Sequence, residues 1–160
     1  MIRRQFLIAL GTASGVVALD LVTKRIAAAN FVDERLTVIP NVLWFTYTEN
    51  YGAAFSILQR AGTFLSIAAV VALGIVGYAL TDERPLLETI AFGLVAGGAV
   101  GNLIDRIARG DGLTDGGVID WIQVPNFPVF NIADSSVTIA VVMLLFMAWK
   151  TEREAPVEST

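Results

Sequence analysis

Nine polar residues stand beside or between long apolar runs: Asp20, Lys24, Asn50, Asn102, Asp105, Arg106, Asp120, Asn131 and Asp134. The chain contains no His and no Cys. That excludes an imidazole base, a Ser-His-Asp relay, a thiol nucleophile, a disulfide and a His- or thiolate-ligated metal. Catalysis is left to Asp, Glu, Lys, Ser, Thr and Tyr. Two carboxylates held close together cannot both ionise cheaply, so they share a proton. The ionised member serves as general base for water. The protonated member donates a hydrogen bond to a carbonyl and later passes its proton to a leaving amine. Such chemistry needs no metal and no cofactor, and neither is expected.

Each residue also has an ordinary reading. Asp20 and Lys24, four apart, make a helical pair worth a few tenths of a kcal/mol. Asp105 and Arg106 read as charges at a helix end. Asp134 reads as an N-cap or first-turn acid. Asp120 reads as a solvated loop acid, although Val118, Ile119 and Trp121 around it are apolar. Gly97, Gly98 and Gly101 suit close helix packing. Taken together, these readings require unrelated charges to converge from every long segment. A charge at mid-bilayer costs about 2.5–3.5 kcal/mol on insertion scales, so a cluster marks a functional site.

The elements that must position these groups are membrane spans. Hydrophobic residues make up 55% of the 160 and charged residues 16%, against about 25% charged in a soluble domain. The mean hydropathy is +0.66. Uncharged runs cover Gln5–Leu19, Ala61–Thr81, Thr89–Ile104 and Ser135–Trp149. With their flanks they reach spanning length. The expected fold is an all-α membrane protein, a four-transmembrane-helix bundle. One domain covers 1–150, with spans at about 5–23, 61–81, 86–105 and 132–149, and a polar tail follows at 151–160. Arg3 and Arg4 before an apolar run also resemble a signal peptide, but Ala18–Leu21 lacks a good cleavage site. The net charge of −4 gives no reason to expect nucleic acid.

Four spans put both termini on one side. That side carries Arg3, Arg4, Arg84, Lys150 and Arg153, and the other carries Lys24, Arg25, Arg35, Arg60, Arg106 and Arg109. The count does not decide orientation, although Arg3 and Arg4 favour a cytoplasmic N-terminus. Leu36–Thr48 reads as two strands around Pro40-Asn41, and Val118–Val124 as a third. The glycines at 110, 112, 116 and 117 read as loop. Both long connections fall on one face and form a small platform over the polar span ends.

Five motifs, in order, resemble those of lipoprotein signal peptidase (signal peptidase II), the bacterial aspartyl membrane protease family. They are Asp20-Leu21-Val22-Thr23-Lys24, Glu49-Asn50-Tyr51-Gly52-Ala53-Ala54-Phe55-Ser56, Gly101-Asn102-Leu103-Ile104-Asp105-Arg106, Val118-Ile119-Asp120-Trp121 and Phe130-Asn131-Ile132-Ala133-Asp134-Ser135. The resemblance implies a bundle with a small extracytoplasmic β-cradle and a short mobile helix. It implies a multi-pass protein of the bacterial cytoplasmic (inner) membrane, both termini cytoplasmic and the active site near the extracytoplasmic face. The implied reaction removes the signal peptide of a diacylated prolipoprotein, cutting before the diacylglyceryl-modified lipobox cysteine. Membrane lipid and globomycin-type peptide inhibitors are implied partners. Asp120 and Asp134 would be the catalytic dyad. Asn50, Asn102, Arg106 and Asn131 would hold substrate or support the site. Asp20, Lys24, Gly52, Ala53, Ala54 and Phe55 would give structural support.

The chain departs from the family pattern at Leu21, where Gln is common, at Trp121, where Phe is common, and at Phe127-Pro128, in place of Trp-Pro. The stretch Ile107–Gly117 is longer than expected. Rival readings are a transporter relaying protons through Asp20, Asp105 or Asp134, a Ser-Lys protease using Lys24 with Ser56 or Ser135, and a non-catalytic scaffold. A transporter calls for paired half-helices broken near the midplane, and no such breaks are evident.

Overall fold

The computed structural model describes residues 4–52 and 61–154. Ala53, Ala54, Phe55 and Ser56 of the second motif lie outside the described residues, as do 155–160 of the tail. The elements in chain order are α1 (Arg4–Asn30), β1 (Leu36–Ile39), β2 (Leu43–Asn50), α2 (Ala61–Ala79), α3 (Leu86–Ala108), β3 (Val118–Gln123) and α4 (Ile132–Glu154). Four helices among the described residues are long and apolar enough to cross a membrane. Their outward faces carry exposed Leu7, Leu10, Phe64, Ile75, Val142 and Leu145, which suits hydrocarbon and not water.

α3 is the hub of the bundle, packing against α1, α2 and α4. Small residues let it approach closely. A Cβ built at Gly97 would lie 2.6 Å from Val16 Cβ of α1, and one at Gly98 would lie 2.5 Å from the Ala133 oxygen of α4. The packing role expected of these glycines is the observed one.

Three helices run further than the sequence suggests. α1 continues past Lys24 to Asn30 because the Lys24 charge is neutralised inside the bundle and Ala27-Ala28-Ala29 favour helix. Its 27 residues span about 40 Å at 1.5 Å each, so its last turns rise under the sheet. α3 reaches Ala108 because Arg106 is buried and does not terminate it. α4 continues to Glu154, taking in the start of the expected polar tail.

The two expected strands around Pro40-Asn41 are β1 and β2, and the third is β3. They form an antiparallel sheet in the order β1-β2-β3. Asn41 takes φ 60° at the β1–β2 turn. Thr48 faces Asp120 and Asn50 faces Val118, with a bulge between Phe45 and Thr48. One face of the sheet buries Ile119 and Trp121 against Ala27 and Ile132. Phe45 meets Trp121 edge-on at 4.9 Å. After β3 the chain turns back, and Phe130 bridges to Ile122. That return delivers Asn131 and the start of α4 beside Asp120. The short mobile helix has no counterpart among the described residues.

Candidate active site

Asp120 projects from β3 and Asp134 from the first turn of α4, and both line one cavity of about 360 Å³. Asn50, Asn102 and Arg106 line it too. Apart from Ser66, its remaining wall is apolar, including Leu65, Ala72 and Val137. Asn131 is fully buried and joins the two carboxyl groups. Its Nδ2 donates to Asp120 Oδ1 at 2.7 Å, and its backbone N–H donates to Asp134 Oδ2 at 3.2 Å. The Asp134 N–H in turn donates to Asn131 Oδ1 at 2.9 Å. The pair is a capping box, so Asp134 is a first-turn acid whose N-cap is Asn131.

The remaining acceptors are filled by two other amides. Asn50 Nδ2 donates to Asp120 Oδ2 at 3.0 Å, and Asn102 Nδ2 donates to Asp134 Oδ1 at 2.8 Å. Gly52, at φ 84°, donates its N–H to Asn50 Oδ1 at 2.9 Å. Asp120 is only 3% exposed. Burial pushes its carboxyl up to about 6, and the charge of Asp134 adds to the rise, while the Asn50 and Asn131 bonds pull it down.

Beneath lies a buried ionic network. Lys24 is 2% exposed and Asp20 fully buried. Lys24 Nζ meets Asp20 Oδ2 at 2.6 Å and Asp105 Oδ2 at 2.9 Å, and it donates to Asn102 Oδ1 at 3.0 Å. Asp20 Oδ1 accepts from the Ala133 N–H at 3.0 Å, next to Asp134. Asp105 Oδ2 accepts from the Ile119 N–H at 3.2 Å, next to Asp120. One lysine thus ties α1 to α3, and its two acids hold the backbone beside each candidate catalytic carboxyl. Asp20 and Lys24 do form the i,i+4 pair, but buried and joined to Asp105, so the reading as a pair worth only a few tenths of a kcal/mol gives way to a buried brace. Arg106 is buried, and its Nη1 has no hydrogen-bond partner among the described residues. It meets the charges of Asp120, Asp134 and Asp105.

The expected site residues that are described converge at this end of the bundle. Asp105 belongs to the polar cluster read from sequence, but the resemblance gives it no role, and Glu49 and Arg109 are not singled out from sequence as site residues. Asp105 lies inside the third motif, which was a usable signal. Glu49 and Arg109 pair across sixty positions, Arg109 Nη2 to Glu49 Oε1 at 2.7 Å, and nothing local announces that. Ser135, offered for a Ser-Lys mechanism, donates its hydroxyl to the Asn131 oxygen at 2.9 Å, while Lys24 is engaged with Asp20 and Asp105. Ser56 lies outside the described residues.

The family model described as Signal peptidase (SPase) II matches residues 12–150. The chain is 36% identical over 132 residues to a lipoprotein signal peptidase of Caldicellulosiruptor bescii, covering 82% of this chain and 84% of that one. It is 39% identical over 165 residues to one from Acinetobacter baumannii, covering 96% and 89%. A bacterial membrane enzyme structure obtained by the in meso method at 2.3 Å resolution superposes with TM-score 0.79 at 33% identity, covering 95% of this chain and 94% of the other. A second, at 1.9 Å resolution, gives 0.78 at 35% identity, covering 88% and 91%. With the helices, the sheet and the match over most of its length, the chain belongs to the signal peptidase II family, the membrane aspartic proteases that cleave signal peptides from prolipoproteins.

Proposed function

We propose that Asp120 and Asp134 are the catalytic dyad with which this chain cuts prolipoproteins before the diacylglyceryl-modified lipobox cysteine. One observation carries the reading: Asn131 holds a carboxyl group from β3 and one from α4 on the same cavity. Asp120, whose pKa burial raises first and the neighbouring charge further, holds the shared proton. Asp134 sits in the first turn of α4, where the helix dipole favours negative charge, and takes a proton from the attacking water. Asp120 hydrogen-bonds the scissile carbonyl and passes its proton to the leaving amine. Arg106, with its Nη1 free of partners among the described residues, donates to substrate carbonyl oxygens.

The apolar cavity wall takes the signal helix, and the lipid acyl chains lie against the exposed outer faces. Globomycin-type peptides compete for the same cavity. The sheet and the dyad lie on the extracytoplasmic side of the inner membrane and both termini on the cytoplasmic side. Support for this orientation is Arg3 and Arg4 before the first span.

The test replaces Asp120 or Asp134 by Asn singly. Each variant inserts and folds, yet its turnover of purified diacylated prolipoprotein falls by about 10²–10⁴. Normal turnover in either variant rejects the dyad.

A further inference from the structure

Outside the cavity, the last residues of β2 are gripped from three directions. The Glu49 carboxylate accepts hydrogen bonds from the Tyr47 and Tyr51 hydroxyls and from Arg109 Nη2. Arg109 Nη2 also donates to the Tyr47 hydroxyl at 2.9 Å. These bonds, Tyr47 first, hold Glu49 down to about 2, so it stays ionised throughout the working range. Arg109 stands at the C-terminal cap of α3, its N–H on the Asp105 oxygen, and it opens the long 109–117 connection. Gly117 closes that connection against the same cluster: a Cβ there would lie 2.8 Å from Tyr51 Cζ and 3.1 Å from Glu49 Cβ. The Glu49 cluster therefore touches both ends of this connection.

The next residue after Glu49 is Asn50, whose amide reaches Asp120 at 3.0 Å. Asn50 sits at the strand's end, where the ladder alone holds it weakly. A second cavity, of about 280 Å³, reaches Asp120 between Glu49, Tyr51 and Val129, so the backbone there has water on one side. We propose that Glu49 and Arg109 are positioning residues: their ion pair ties the 109–117 connection to β2 and so holds the Asn50 amide on Asp120. The inference rests on the dyad proposed above.

The charges acting on Asp120 are Asp134 from α4, Lys24 from α1 and Arg106 from α3, while Glu49 shares the second cavity with it. That arrangement separates positioning from simple electrostatics. Acting only through space, Glu49→Gln removes a negative charge and lowers the Asp120 pKa, and Arg109→Gln removes a positive charge and raises it. Acting through Asn50, both free the amide that favours the ionised carboxylate, and both raise it.

The experiment measures kcat, KM and the pH profile of purified full-length enzyme on diacylated prolipoprotein. The set is Glu49→Gln, Arg109→Gln, their double variant, Tyr51→Phe, and Arg109→Lys as the charge-conserving control. Both Gln variants are expected to lower kcat about tenfold, as misplacement of a reacting group does, with KM little changed. Both should move the alkaline limb of activity to higher pH. The double variant should be no worse than either single, and Arg109→Lys should recover most of the rate. Limbs moving in opposite directions, additive losses, or wild-type kinetics throughout overturn the proposal. Tyr51→Phe removes one hydroxyl and is expected to shift the limb the same way by less. Asp120→Asn is run alongside: its loss of turnover keeps the dyad standing whatever the Glu49 series gives.

Discussion

Asn131 and Asp134 exchange hydrogen bonds at the start of α4, 2.9 Å in one direction and 3.2 Å in the other. The Nδ2 of the same Asn131 is left to reach Asp120. Helix capping and dyad assembly are therefore one structural act. The two roles separate by mutation. Asn131→Ala should cost about 1 kcal/mol of stability through the lost cap and about 10²-fold in activity through misplacement of the carboxyls. Asn131→Ser restores the capping oxygen but not the Nδ2 donor. It is expected to recover the melting temperature and leave turnover low. Recovery of both together would mean that capping alone matters.

The pH dependence follows from Asp120. Turnover needs the shared proton, so kcat/KM should fall as pH rises past about 6, the value to which burial, ahead of the Asp134 charge, pushes Asp120. The same shift acts on stability. The folded-state value lies above the ordinary 3.8, so the stability tied to neutral Asp120 is whole below about 4. It is lost as pH rises to about 6. Asp120→Asn removes this dependence. Thermal unfolding in detergent should show the variant gaining on the parent between pH 4 and 6 and holding a constant difference above about 7. A difference independent of pH would place Asp120 in a solvated setting.

Much of this site is legible in the chain. Missing His and Cys narrow the acid–base groups to carboxylates, Lys and Tyr, and the polar residues cluster at span ends, where their desolvation cost reveals them. Helix ends are less legible because a buried charge reads locally as a terminator. Lys24 suggests the end of a span until Asp105, far away in sequence, is seen to pair with it. Likewise, Asp134 is ambiguous between N-cap and first-turn acid until Asn131 is seen bonding to it. The Glu49–Arg109 pair joins the end of β2 to the C-terminal cap of α3, a long-range contact that no local pattern encodes.

Lys24 carries the charge balance of the brace. Lys24→Met leaves Asp20 and Asp105 buried without their cation, a change expected to cost about 3–5 kcal/mol. Adding Asp105→Asn to that background removes one orphaned charge and should return part of the loss. Both should show in unfolding by heat in a bilayer mimetic. A cost under about 1 kcal/mol for Lys24→Met would mean that water reaches the network, as it does at surface ion pairs.

Gly98 tests whether dyad geometry depends on how closely α3 meets α4. A Cβ there would sit 2.5 Å from the Ala133 oxygen and 2.6 Å from both Ser136 Oγ and Val137 Cγ2. Backbone cannot give way cheaply, so Gly98→Ala must push α4 outward at the residue before Asp134. Asn102, one turn along α3, would then lose its 2.8 Å bond to Asp134. The expected result is a fall in kcat of about tenfold or more with the protein still membrane-inserted. Gly11→Ala is the matched control, because nothing lies within 4 Å of its added Cβ. Helix propensity makes that change stabilising by up to about 1 kcal/mol. Equal activity in the two variants would show that the α3–α4 spacing does not set the carboxyl geometry.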